Sequence, residues 1–212
     1  MSHKRSPALS NHPPWTTNKL FSQAKHGILS PDQPFPLQYT AIEEKIGHTV
    51  ACNLSEDKDI KPRSIRITYN PIIKTLHIKK PVWGHDIFSS WAEHERIRAC
   101  ISGFFTPDET DGFWLYKSPL VNKFPPPFQS TIKEPEWCIA PFGEFIPTIV
   151  CEIGCSESSL TEDKDLWMTA GGSHVNVVIL LKWSALDEDC VSGYFEIWRR
   201  GGVVPERIVS LL

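Results

Sequence analysis

Apolar and polar residues alternate with a period of two across residues 64–69 and 75–79, and Asn70-Pro71 between them is a strong turn signal. The pattern predicts an amphipathic hairpin, with Ile65, Ile67, Leu76 and Ile78 on one face and Arg66, Thr68, His77 and Lys79 on the other. A second pair of short apolar runs, residues 136–140 and 148–154, flanks a turn through Pro141-Phe-Gly-Glu-Phe-Ile-Pro147 and predicts a second hairpin. After it, Ser159-Leu-Thr-Glu162 fits a capping box, and Gly171-Gly172 is a C-terminal stop. Between them Asp163, Leu166, Trp167 and Ala170 follow the spacing of a buried helical face. The run 175–181 is apolar throughout, as in a strand covered on both sides. Its strand-helix-strand order predicts that it lies parallel to the strand carrying Glu152. Residues 191–199 predict a further antiparallel strand, reached through the acidic loop Asp187-Glu-Asp189.

The remaining elements are less regular. A short helix is expected around 39–46, a second over 87–98 with Asp86 as its N-cap, and a short strand at 113–116. The last lies within a Pro-rich connection, 106–130, marked by Pro125-Pro-Pro127. Residues 1–33 show no clear periodicity and contain Pro13-Pro14, which predicts a flexible, disordered N-terminal arm ahead of a single domain over 34–212. The expected fold class is α/β (α+β), a mixed central β-sheet flanked by helices.

Composition narrows the function classes. The chain has 212 residues, 41% of them hydrophobic, with eight Trp and eleven Phe, enough to bury a core. Its formal net charge of -3 gives no global attraction to nucleic acid, so any such binding needs a local basic patch. The polar hairpin face around Arg66 and Lys79, with Arg63, Lys74 and Lys80 nearby, is such a patch or else a solvated sheet face. Six cysteines form no Cys-x-x-Cys pair, and Cys138, Cys151 and Cys190 sit in or beside apolar runs where thiols pack as small hydrophobes. The start Met1-Ser-His-Lys-Arg5 has no apolar secretory segment, so an intracellular chain, in cytoplasm or nucleus, is expected. No run approaches the ~18 apolar residues of a membrane span, so no membrane partner is expected.

The candidate chemistry is acidic. A hairpin turning at Glu144 sets Glu136 directly opposite Glu152, and like charges so placed destabilise a sheet unless a proton or a cation separates them. A cation site is the sharp reading; a frayed, hydrated strand end is the plain one. Asp163 falls near the helix start beside Glu152, where a first-turn acid is also favoured by the helix dipole. Parallel pairing brings Lys182 to the same sheet edge.

The run Pro147-Thr-Ile-Val-Cys-Glu-Ile-Gly-Cys-Ser-Glu-Ser158, with Glu162-Asp163, Asp165-Leu-Trp167, Gly171-Gly172 and Val177-Val-Ile-Leu-Leu-Lys-Trp183, resembles a group of uncharacterised fungal proteins. Those proteins have a restriction-endonuclease-like fold of PD-(D/E)XK type. In that superfamily an acid opens one strand, a second acid lies on the neighbouring strand, and a lysine follows two residues later. Pro135-Glu136 matches the first motif with Glu for Asp, which moves the carboxylate outward by one methylene, and Glu152 matches the second. Gly154 stands where the lysine is expected. Superfamily members sometimes carry the lysine on another element, which makes Lys182 the candidate, with Lys164 the weaker one. The resemblance implies metal-assisted phosphodiester hydrolysis of nucleic acid. Glu136 and Glu152 would hold Mg²⁺ or Mn²⁺, Lys182 would assist, and Asp163 and Glu157 would support them. The competing class is a catalytically inactive interaction module on the same scaffold. Other enzyme classes find no Gly-rich phosphate loop, nucleophile elbow or Cys/His metal cluster.

Overall fold

The computed structural model describes residues 14–80, 85–187 and 190–211. Its first layer is built from α1 (Thr17–Leu29), β1 (Leu37–Tyr39), α2 (Glu44–Glu56), β2 (Arg66–Asn70) and β3 (Thr75–Lys79). The predicted hairpin forms with Ile67 opposite Ile78 and Thr68 opposite His77, and β1 adds to β3 to give a three-stranded antiparallel sheet. Asn70 closes the turn: its Oδ1 accepts from the backbone N–H of Ile72 and Ile73. The apolar hairpin face packs under α1 and α2. Gly47 is what lets α2 approach, since a Cβ there would lie 2.0 Å from the Tyr69 ring.

Two expectations change here. Much of the supposed flexible arm is α1, capped by the Thr16 side chain, and its Leu20, Ala24 and Ile28 recur every fourth residue on a buried stripe. A domain boundary at residue 34 would therefore cut a packed unit; residues 1–13 of that arm lie outside the described residues. The helix expected over 39–46 starts only at Glu44, because Leu37–Tyr39 is recruited to the sheet edge.

The second layer follows α3 (His85–Ile101) and the short α4 (Pro107–Asp111), which Thr106 and Glu109 close as a capping box. The helix α3 begins at His85, one residue ahead of the Asp86 expected to cap it, and the Asp86 side chain lies outside what is described. A six-stranded sheet then runs in chain order: β4 (Phe113–Lys117), β5 (Trp137–Pro141), β6 (Ile149–Gly154), β7 (Val177–Asp187), β8 (Cys190–Arg199) and β9 (Glu206–Leu211). Between β6 and β7 lies α5 (Glu157–Ala170), and those two strands are parallel while the other neighbours are antiparallel. The mixed sheet flanked by helices is thus present. The centre of the acidic loop expected before β8 lies outside the described residues.

Strand alternation gives this sheet two faces. Trp137, Cys151, Ile153 and Leu181 form one apolar cluster with Ala92 of α3. Val150, Val178 and Leu180 form another with Leu160, Leu166, Trp167 and Ala170 of α5. The two sheets are joined through the strand leading into β5. Ile132 exchanges backbone hydrogen bonds with Tyr69 at 2.9 and 3.2 Å, and Lys133 exchanges them with Val121 at 2.9 and 3.0 Å. No helix of the described residues is long and apolar enough to cross a membrane.

Candidate functional site: a charged cleft at the seam of two sheets

The β5–β6 register is the one the hairpin turn predicts. Trp137 pairs with Cys151 and Cys138 with Val150, and the Glu136 N–H donates to the Cys151 carbonyl at 3.1 Å. Glu136 falls just before β5, outside that paired run, and its N–H bonds to Cys151 rather than to Glu152, so the pairing does not set the two acids directly opposite each other; both are nonetheless buried, at 7% and 4% exposure. They line a cleft of 520 Å³ between that sheet edge and the polar face of the β2–β3 hairpin, which contributes Arg66, Thr68, His77 and Lys79. The hairpin face is thus the opposite wall of the cleft.

Each acid meets a cation. Arg66 Nη2 lies 3.2 Å from Glu136 Oε2. Lys133 Nζ, on a side chain 2% exposed, lies 3.0 Å from Glu152 Oε1 and 2.7 Å from Asp163 Oδ1. The same Glu152 oxygen accepts from the Trp167 indole N–H at 2.6 Å. Asp163 uses its other oxygen for Lys79 Nζ at 2.7 Å, and Lys79 also donates to Ser159 Oγ at 2.8 Å. Lys133 is tied to Val121 through both its backbone groups and the preceding Ile132 to Tyr69, so its ammonium is delivered by a fixed segment. Asp163, expected beside Glu152, is where the helical spacing places it, one turn before Trp167 on the buried face of α5. That helix begins at Glu157 with Ser156 as its cap, accepting from the Ser159 N–H, earlier than the capping-box reading placed it.

Burial sets the protonation pattern. Burial works against the charge of Lys133, but the carboxylates of Asp163 and Glu152 outweigh it and hold its pKa above the ordinary lysine value. Burial pushes the Glu152 carboxyl up, with Lys133 opposing, whereas two lysines overcome burial at Asp163 and hold it down. Glu134, also on the cleft wall, is pushed up to about 7 by burial, with Arg66 opposing. His77 is pushed down by burial first and by Lys79 next. Arg66 Nε and His77 Nε2 are buried without a hydrogen-bond partner among the described residues.

Lys182 is not delivered to this cluster. Its Cα pairs with Gly154, two residues beyond Glu152, whose own partner is Leu180. From there its Nζ reaches Glu157 Oε2 at 2.6 Å at the first residue of α5, so neither Lys182 nor Glu157 lines the cleft. Lys164 pairs with Asp165 and sits over the Trp198 ring, likewise outside it. The lysine that the acids do meet, Lys133, went unread because it belongs to an isolated bridge without local periodicity. The one available signal was a lysine between Ile132 and the Glu134-Pro-Glu136 motif. Cys138 and Cys151 are buried free thiols, both raised in pKa by burial. The side chain of Cys190 lies outside the described residues.

No family model matches the chain, and no curated protein matches it.

Proposed function

We propose that the chain is a metal-dependent phosphodiesterase acting on nucleic acid, built on a restriction-endonuclease-like scaffold of PD-(D/E)XK type, with Lys133 taking the part of the lysine absent at Gly154. The observation that carries this reading is the convergence of Glu136, Glu152 and the buried Lys133 on one cleft. Two carboxylates from neighbouring strands supply the hard oxygen ligands that Mg²⁺ or Mn²⁺ prefers. Among the described residues no group of three His, Cys, Asp or Glu side chains is placed to hold an ion. An ion held by these two carboxylates alone would keep much of its water, as Mg²⁺ does. When bound, the ion supplies an activated water and neutralises charge on the phosphate.

The chain's own residues orient and bind. Trp167 and Lys133 fix Glu152 Oε1 from two sides, and Asp163 holds Lys133 between them. Arg66, Lys79 and Lys80 line the hairpin wall, Arg66 and Lys79 already paired with Glu136 and Asp163, so a phosphate entering the cleft meets Lys80 and competes with the acids for the other two cations. This wall is the local basic patch that the net charge of -3 makes necessary.

A second reading, a non-catalytic nucleic-acid-binding module on the same scaffold, is favoured by one fact. Glu136, Glu152 and Asp163 already have protein cations as partners. Calorimetric titration with Mg²⁺ and Mn²⁺, together with cleavage of end-labelled DNA and RNA, separates the two. The nuclease reading expects saturable Mn²⁺ binding lost in Glu152→Gln and cleavage lowered about a hundredfold in the same variant. A parent protein that binds neither ion, with or without nucleic acid, and cleaves nothing overturns it. Nucleic-acid affinity that persists in that protein and falls in Lys80→Glu selects the binding module.

A further inference from the structure

The six-stranded sheet ends at β4, and among the described residues no strand pairs with its outer edge. The Ser118 N–H donates to the Glu136 carbonyl at 3.1 Å and the Phe142 N–H to the Gly112 carbonyl at 2.9 Å. Those bonds fix the even-numbered positions as the ones facing β5. Phe113, Leu115 and Lys117 therefore turn their backbone N–H and C=O groups outward, a row of donors and acceptors unmet among the described residues, of the kind that templates strand addition. A groove of 490 Å³ follows this edge, lined by Asp111, Phe113, Trp114, Leu115 and Phe142 among others. Beside it the rings of Trp114 and Tyr116 stack at 6.1 Å, and Trp114 and Phe142 are 51% and 71% exposed. Such exposed aromatic clusters mark interaction surfaces.

We propose that this edge is a homodimer interface in which β4 pairs antiparallel with β4 of a second copy about a two-fold axis at Leu115, making one continuous sheet. Charge selects that occupant. The N-terminal end of β4 follows the acidic helix α4, with Asp108, Glu109 and Asp111 exposed, and its C-terminal end carries the exposed Lys117. Antiparallel self-pairing sets the partner's Lys117 opposite Phe113, beside Asp111, and the symmetry repeats that match at the other end. Centred on Leu115, the outward groups at 113, 115 and 117 all find main-chain partners, because each hydrogen-bonded pair exchanges two bonds. Trp114 then faces the partner's Tyr116 in the closer, non-hydrogen-bonded kind of pair, where aromatic side chains gain most from contact. A nucleic-acid strand is disfavoured on this edge by the same acids of α4.

Sedimentation equilibrium of the full chain, with Lys117→Glu, Asp111→Lys and the double variant, tests the interface. All of these positions are exposed, so folding is unaffected. The parent sediments as a dimer at micromolar concentration. Each single variant replaces two symmetric attractions by two repulsions and raises the dissociation constant about tenfold, and the double variant, with the charges exchanged, returns it close to the parent value. A parent that stays monomeric at the highest soluble concentration overturns the proposal. So does a dimer that neither single reversal weakens, or one that the charge exchange leaves as weak as the single variants.

Discussion

The two faces of β5 and β6 come from the same few residues and are built on opposite principles. Toward α3, Trp137, Cys151 and Ile153 meet Ala92 and Leu181 in a cluster whose stabilisation is simply area removed from water. Toward α5, the alternating positions start apolar, with Val150 against Leu166 and Trp167, and turn to charge one step later, with Glu152 among Lys133, Asp163 and the Trp167 indole. The helix α5 spans both regimes: its later turns carry Leu166 and Ala170, while its second turn carries Asp163. Desolvating carboxylates and ammonium groups costs several kcal/mol per ion, and hydrophobic side chains of the same volume would avoid that cost. An apolar solution is in use one residue away. A buried ionic cluster retained beside a cleft is therefore better explained by what the cleft does than by what the fold needs.

The widest separation between the faces comes from deleting Lys133. Lys133→Met leaves Glu152 without its ammonium and Asp163 with Lys79 alone, and the expected loss is about 3–5 kcal/mol of unfolding free energy, read from urea denaturation at pH 7. Leu181→Ala on the apolar face costs about 2–4 kcal/mol through its cavity. The two losses differ in whether they can be undone. Adding Glu152→Leu and Asp163→Leu to Lys133→Met should recover most of the stability, because the uncompensated charges go with their partner. A triple variant no more stable than Lys133→Met alone would show the cluster to be a structural requirement of the seam.

Local pattern made one face far more legible than the other. Alternation around Asn70, the turn between residues 141 and 147, and the stripe from Asp163 to Ala170 each lie within a short span, so the hairpins, the Trp137–Cys151 register and the buried face of α5 could be read directly. The parallel β7 followed from handedness and element order. The cations could not be read this way. Lys133 reaches Glu152 because Ile132 pairs with Tyr69 and Lys133 with Val121, contacts between distant segments that leave no periodic trace. Lys79 was visible as part of a polar face, but that the face closes on α5 depended on how two sheets dock. The helix α1 was missed because its buried stripe is narrow, with Asn18, Lys19, Ser22, Gln23 and Lys25 around it, and β9 because a short strand at the chain's end carries little signal.

The charged face also makes a pH signature that the apolar face lacks. Glu134 titrates near 7 in the folded protein, above the ordinary glutamate value, because burial opposes its charge. The folded state therefore holds a proton that the unfolded chain has released between about pH 4.5 and 7, and stability falls as pH rises through that window. Glu134→Gln removes this group's share of the slope and leaves that of Glu152, whose carboxyl burial also pushes up: it should raise stability at pH 8 by about 3 kcal/mol and leave it nearly unchanged at pH 4.5, in thermal or urea unfolding followed across pH. A parallel offset at all pH values would mean that Glu134 is ionised in the cleft across the whole range. Saturating Mn²⁺ adds a sharper version, since an ion bound beside Glu134 favours its charged form and moves the window downward.

The smallest effect is expected at Lys182, and it separates two assignments of the same role. Lys182 has the sheet edge and the strand direction that the site would need, but its Cα pairs with Gly154 and its ammonium goes to the exposed Glu157. An ion pair of that exposure, at the mouth of a helix, is screened by water and salt. Lys182→Ala should leave the urea midpoint, Mn²⁺ affinity and any cleavage rate close to those of the parent, whereas Lys133→Arg, which keeps the charge but changes its geometry, should lower cleavage while preserving a folded protein. The reverse result, a chain indifferent to Lys133→Arg and disabled by Lys182→Ala, would place the working lysine on β7 and require the Lys182–Glu157 pair to open when nucleic acid binds.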